Sequence, residues 1–240
     1  MSRLLLLALW CGLIPPVAAT VPLVQRSLLI TTHELPPYSF ADGKEGVAGF
    51  AAERLRCALG RMQQPHHVQL MAWPRAQNEV LTGHAEAFFA AVRTPERDAY
   101  GEASITLAPQ IWTWYLPAGA THEPTSSTFR QRQRVASLAG AAMSEHLQQQ
   151  GYQHLSQARD MDQLLAWLAN GDVDAILASN LSMERLLSGH QARPFVRALP
   201  YLDKPLVVYV NRAFSQAYPA FMPAFNQALA HCREQIPVVG

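Results

Sequence analysis

The chain alternates between short apolar runs of strand length and longer stretches in which apolar residues recur every three or four positions. The first kind, bounded by turn residues, predicts buried strands, and the second predicts amphipathic helices. LLITT (Leu28 to Thr32) reads as a buried strand ending in the turn-rich HELPPYSFADGKEG. A helix over Gly49 to Met62, a strand VQLMAW ending at Trp73 and a helix opening at Pro74 follow. SITLAPQIWTWYLP is apolar and β-prone but broken by Pro109, which predicts two strand pieces at a crossover. AGATHEPTSST has no hydrophobic period and reads as a linker, and the basic FRQRQR after it as a solvated lead-in to the strand RVASLA. Beyond it come a helix around SEHLQQQG, a short strand near Tyr152 to Leu155, the helix MDQLLAWLANG and the strand DAILAS. The helix SMERLLSG, the extended FVRALP, a strand LVVYVN and a closing helix over Tyr218 to Glu234 complete the pattern.

One part of this pattern occurs twice. Leu81 to Ala91 (LTGHAEAFFAA) and Ala169 to Ser179 (ANGDVDAILAS) align Gly83 with Gly171, Glu86 with Asp174 and Ala87 with Ala175. Each copy runs from the end of an amphipathic helix through a glycine C-cap into an apolar strand, which is the grammar of a βαβ unit. Two related α/β lobes follow from this more naturally than one long sheet. The division it predicts is a first lobe from residues 20–110 and 201–240 and a second from residues 111–200. The first copy continues into VRTPERDAY, so Thr94 and Arg97 fall just past the carboxyl end of a strand, where open α/β sheets bind ligands.

Residues 1–19 hold one cation (Arg3), an apolar run and a small-residue exit, the three regions of a cleaved signal peptide. Cys11 follows the bulky Trp10, which argues against a lipid-modification site. An exported, periplasmic and monomeric protein is the expectation, with a net charge near zero once Arg3 is removed from the formal +1. Such a balance speaks against nucleic acid as a partner. Cys57 and Cys232 lie on predicted helices, and export would let them form a disulfide, two buried free thiols being the alternative. The nine histidines show no metal-ligand spacing, there is no G-x-S-x-G elbow, and no cofactor motif is present, so neither a metal site nor a cofactor is expected.

PPYSF after the first strand, Gly49-Phe50 opening a helix, the first glycine-plus-acid strand, RTPERDAY, a strand with Gly140-x-x-Met143 and finally NGDVDAIL resemble, in this order, the extracellular solute-binding proteins of family 3. These are type II periplasmic binding proteins of ABC importers, typically for polar amino acids. The resemblance implies an α/β fold of two lobes joined by two crossover hinge segments, with the ligand cleft between them. It also implies that Arg97, in the T-x-x-R motif opened by Thr94, forks onto a ligand carboxylate, a geometry that a lysine cannot reproduce. A surface or helix-capping arginine is the plainer alternative.

Ala90 and Ala91 end the strand leading to that motif, and Tyr38 and Trp73 are candidate stacking walls, although each also suits a core. The chain departs from the family's pattern twice. Ala142 and Met143 stand where a hydroxyl residue is usual, leaving backbone N–H groups to bind an anion there. Ser179 and Asn180 stand where an aspartate meets the ligand ammonium; Glu34 could compensate or be a solvated loop residue. A small polar or carboxylate-bearing, amino-acid-like solute, captured by lobe closure and passed to an ABC permease, is the function implied. A ligand-binding subunit of a membrane sensor is the alternative, and a dehydratase-type enzyme on the same fold is the less favoured one.

Overall fold

The computed structural model describes residues 24–43, 46–189 and 196–238. The signal peptide expected at residues 1–19 lies outside the described residues. From the amino-terminal side the elements are β1 (Leu28–Thr32), β2 (Phe40–Ala41), β3 (Val47–Ala48), α1 (Phe50–Arg61), β4 (His66–Leu70), α2 (Trp73–Leu81), β5 (Ala87–Val92), α3 (Pro95–Tyr100) and β6 (Gly101–Ala103). Then come β7 (Ile111–Pro117), α4 (Ser127–Arg132), β8 (Arg134–Leu138), α5 (Ala142–Gln149), β9 (His154–Ala158), α6 (Met161–Asn170), β10 (Ala175–Ser179) and α7 (Asn180–Gly189). The chain closes with β11 (Val196–Asp203), β12 (Leu206–Asn211), α8 (Arg212–Ala217) and α9 (Phe221–Gln235).

Two five-stranded sheets carry the fold, ordered β4-β1-β5-β12-β6 and β11-β7-β10-β8-β9. In each, a parallel core is joined by antiparallel strands: β1 pairs parallel to β4 and β5, and β12 antiparallel to β5 and β6. In the second sheet β8 pairs parallel to β9 and β10, and β7 antiparallel to β10 and β11. Strands covered on both faces must be apolar throughout, which is why all six residues of β5 and all five of β10 are buried. Two segments cross between the sheets, and they are tied to each other where Lys204 N–H donates to Gln110 O at 2.9 Å and Leu206 N–H to Ala108 O at 2.8 Å.

Helix α9 packs on α1 in the first lobe, burying Phe225, Leu229 and Cys232 on one side and Leu55, Ala58 and Leu59 on the other. Cys57 and Cys232 are joined in a disulfide with Cα atoms 5.9 Å apart. The start of α1 is fixed by the loop before it, since the N–H groups of Phe50 and Ala51 donate to Pro37 O and Tyr38 O at 3.2 and 3.1 Å. Gly49, at φ 111°, is required there: a Cβ would fall 2.4 Å from Tyr38 O.

Several elements differ from the sequence reading. FRQRQR is mostly helix, because Ser126 accepts from Phe129 N–H at 3.2 Å as an N-cap and Phe129 is buried as an anchor. SITLAP contributes no strand: pairing ends at Ala103, and the segment makes only an isolated bridge from Ala108 to Leu206. Trp73 opens α2 rather than ending a strand, with Pro74 in the first turn, where its missing N–H costs nothing. The strand expected near Tyr152 is β9, beginning at His154, while Tyr152 is held by its hydroxyl donating to Pro124 O at 2.7 Å. Val196 to Pro200 of the extended FVRALP belong to β11, on the edge of the second sheet, and α8 starts where Asn211 accepts from Phe214 N–H at 3.0 Å.

Candidate functional site

The carboxyl ends of β1 and β5 face the loop after β8 and the end of β10 across a cavity of about 50 Å³. Arg97 lies on its first-lobe wall. Thr94 caps α3, its hydroxyl accepting from Arg97 N–H at 3.3 Å, and this short turn directs the arginine back under the sheet. Arg97 is 4% exposed. Its Nε donates to Gln77 Oε1 at 3.0 Å and its Nη1 to Val92 O at 2.7 Å, while Cζ stands 5.3 Å from the Trp73 ring centroid.

No carboxylate pairs with it among the described residues. Asp98, one of its two acidic neighbours in sequence, is taken by Arg93 at 3.0 Å and by the Tyr209 hydroxyl at 2.8 Å, and the other, Glu96, is exposed. Burial pulls the Arg97 pKa below its usual range, with the fields of Tyr100, Glu145, Tyr209 and Glu96 acting against that shift. A guanidinium nonetheless stays protonated. The wall therefore carries a buried positive charge with neutral partners on Nε and Nη1, and Nη2 makes no hydrogen bond to the protein among the described residues.

Ala90, preceding this motif on β5, has φ 61° and is the extra residue where β5 shifts register against Val207 and Val208 of β12. Such a bulge bends the strand and re-aims its end, and an alanine held in the left-handed region is a strained residue of the kind found at functional sites. Beside it the His33 ring lies 4.2 Å from Trp73, centroid to centroid. His33 Nδ1 is enclosed without a hydrogen-bond partner, and burial together with the charge of Arg97 pushes the ring's pKa down to about 3. His33 is thus neutral at physiological pH.

The second lobe contributes Ala141, Ala142 and Met143 at the start of α5, and this helix has no side-chain cap. In its first turn Ser144 N–H is taken by Ala141 O at 2.9 Å, which leaves the N–H groups of Ala142 and Met143 on the second-lobe side of the cavity. Gly140 lets the two walls approach, with φ 66° and a would-be Cβ 3.3 Å from Pro74 Cγ of the first lobe. Ser179 donates to the Tyr38 hydroxyl at 3.3 Å, and that hydroxyl donates to Pro109 O at 3.1 Å, so a hydrogen-bond chain links both lobes to a crossing segment.

The paired sheets and the crossovers between them also match solved structures. The chain has the periplasmic-binding-protein fold. A histidine kinase sensor domain with similarity to periplasmic binding proteins superposes with a TM-score of 0.76 at 16% identity, over 88% of this chain and 91% of that one. An ABC uptake transporter substrate-binding protein from Streptococcus pneumoniae with bound histidine gives 0.74 at 13% identity, over 87% of each chain. The GluR0 ligand-binding core from Nostoc punctiforme, in complex with L-glutamate, gives 0.72 at 15% identity, over 87% of this chain and 93% of that one. No family model and no curated protein sequence matches the chain.

Of the residues singled out in the sequence, Arg97, Trp73, Ala90, Ala142, Met143 and Ser179 come together on the cavity wall. Thr94 lines a neighbouring groove, and Ala91 packs with Val80 and Phe88 on the other face of the sheet. Tyr38 is wholly buried against Phe50, and exposed Glu34 accepts from Ala41 N–H at 3.2 Å, so neither forms the wall. His33, Gln110 and Trp112 line the cavity without having been singled out. His33 follows directly on a strand's carboxyl end, a signal that could have found it. Trp112 gave none, because its alternation with Thr113 on β7 reads equally as packing; its Nε1 donates to Gln110 Oε1 at 3.1 Å.

Proposed function

We propose that this protein is a periplasmic solute-binding protein whose lobes close on a small carboxylate-bearing solute and present it to an ABC permease. The observation that carries this reading is Arg97: a buried guanidinium without a counter-ion is unfavourable unless an anion completes it, and its planar donors fit a carboxylate. The uncapped start of α5 supports the same reading from the second lobe. Export rests on the amino-terminal pattern of residues 1–19. Binding rather than catalysis agrees with the binding proteins and sensor domain that share the fold.

A thermal-shift screen of small carboxylates and amino acids tests this, since a ligand at a hundred times its dissociation constant stabilises by about 2.7 kcal/mol. Calorimetric titration of Arg97→Ala with the best solute should show a loss of about 2–5 kcal/mol of binding energy. Arg97→Lys should recover little of it, because a point charge does not reproduce the fork. Unchanged affinity in Arg97→Ala would leave the arginine a structural residue. The second reading, a ligand-binding subunit of a membrane sensor, is favoured by the likeness to the histidine kinase sensor domain. Co-purification of the solute-loaded protein with membranes distinguishes the two: a permease partner supports delivery, a receptor partner supports sensing.

A further inference from the structure

We propose that the cleft is built for a monocarboxylate with an apolar body and discriminates against the α-amino acid of the same shape. The inference rests on the carboxylate reading of Arg97 and adds what the rest of the cavity demands. Around the guanidinium the wall is formed by Leu35, Val92, Met143, Met161, Leu206 and the two indoles. It contains no aspartate or glutamate among the described residues. An α-ammonium held beside the carboxylate would lie close to the Arg97 cation, with no opposite charge to offset either the repulsion or its own loss of water.

The neutral polar groups do not fill this gap. Gln110 Oε1 is shared with the Trp112 indole and Ser179 Oγ with the Tyr38 hydroxyl that spans the lobes, so each offers only its remaining lone pairs and no negative charge. His33 presents one enclosed ring nitrogen, and the imidazole is held neutral beside Arg97. Neutral lone pairs of this kind carry no charge to offset an ammonium held beside the Arg97 cation. Among the nearby acids, Glu145 and Glu96 are exposed and stand on a separate groove outside the cavity wall. One negative group can therefore be matched at the Arg97 end, while the remainder of the solute meets methyl, thioether and indole surfaces.

The cavity holds about four water-sized groups, taking about 10–15 Å³ for each. Short acids are accordingly the first probes. Matched pairs isolate the ammonium: propionate with alanine, isovalerate with valine, isocaproate with leucine, and phenylpropionate with phenylalanine. Titration calorimetry on the full mature chain, with Trp73 and Trp112 as fluorescent reporters, should find at least one acid binding about tenfold or more tighter than its amino acid. Arg97→Ala should abolish that binding.

If amino acids bind as tightly as their partners or tighter, and do so through Arg97, the carboxylate site stands and the discrimination is refuted. If no member of either series binds, or if Arg97→Ala leaves binding unchanged, the carboxylate site itself falls and the inference falls with it.

Discussion

β5 and β10 each lie third in a five-stranded sheet, each after a helix and a glycine at φ 76° or 75°. At the start of the strand, both copies make the same pair of bonds. Glu86 N–H donates to Leu29 O at 2.9 Å while its carboxylate accepts from Leu29 N–H at 2.6 Å; Asp174 N–H donates to Arg134 O at 2.8 Å while its carboxylate accepts from Arg134 N–H at 2.7 Å. Each acid thus fastens the start of the neighbouring parallel strand and also pairs with an arginine, Arg26 or Arg134, at 2.8 Å. At the far end the copies diverge. The first bulges at Ala90 and turns through Thr94 to the unpaired Arg97; the second runs directly into α7, and Asn180 accepts from Ile111 N–H at 3.0 Å, holding the crossover. The repeated end of the unit builds the sheet, and the variable end makes the site.

The lobes also differ in how they are stapled, and breaking the staple should have the largest effect. The disulfide joins α1 to α9 across a sequence separation of 175, with both cysteines in the first lobe, and among the described residues the second lobe has none. Cys57→Ala with Cys232→Ala should cost about 2–5 kcal/mol of stability. Hydrogen exchange read strand by strand should show β1 and β5 losing protection while β8 and β10 keep theirs. Equal losses in both sheets would mean that the lobes unfold as one unit.

The bonds shared by the two strand starts can be broken separately. The Glu86 side chain is 10% exposed and the Asp174 side chain 30%, so loss of the first leaves a more deeply buried N–H without its acceptor. Glu86→Ala should cost about 2–3 kcal/mol and Asp174→Ala about 1 kcal/mol in urea unfolding. Burial would raise the Asp174 pKa, but the hydrogen bonds and charge of Arg134 outweigh it and hold the carboxyl below its ordinary value. Its contribution is present above the unfolded pKa and is lost as the pH falls through the folded one. Equal costs for the two substitutions would show that burial does not set their difference.

The same contrast explains what was legible in the sequence. The repeat exposed both central strands because a buried strand must be apolar at every position and its glycine must follow a helix end. Arg97 was legible through its place just past a strand's carboxyl end and through the resemblance that gives the T-x-x-R motif a carboxylate-binding role. His33, Gln110 and Trp112 were not singled out, because a cavity wall drawn from nine separate elements and the segments between them leaves no local period. The helix at FRQRQR was hidden for a different reason: its cap lies in a polar segment and its only buried anchor is Phe129.

The two site-forming ends should also separate on titration. His33 falls from its ordinary 6.5 to about 3 in the folded protein, through burial first and the Arg97 charge second. The unfolded chain therefore binds a proton below pH 6.5 that the folded chain does not, and stability falls as the pH is lowered between those two values. From pH 6.5 to pH 5 this amounts to about 2 kcal/mol. Chemical denaturation of the wild type against His33→Gln should show the wild type alone carrying this slope. Parallel curves would mean that His33 is protonated in the folded state.

The smallest effect tests whether the glycine turns leading into β5 and β10 are equivalent. Gly83 and Gly171 both need the left-handed conformation, and at each a Cβ would meet no atom within 4 Å, so alanine costs only backbone strain. Gly83→Ala and Gly171→Ala should each lose about 1 kcal/mol, and the double variant should lose the sum, because the sites lie in different sheets and share no partner. Gly140→Ala makes the informative third variant. It has the same kind of backbone, but its Cβ would stand 3.3 Å from Pro74 on the opposite wall. Thermal unfolding should place all three near the same stability loss, while solute titration should find weakened binding in Gly140→Ala alone. Equal binding in all three would mean that Gly140 and Pro74 need not touch for the lobes to close.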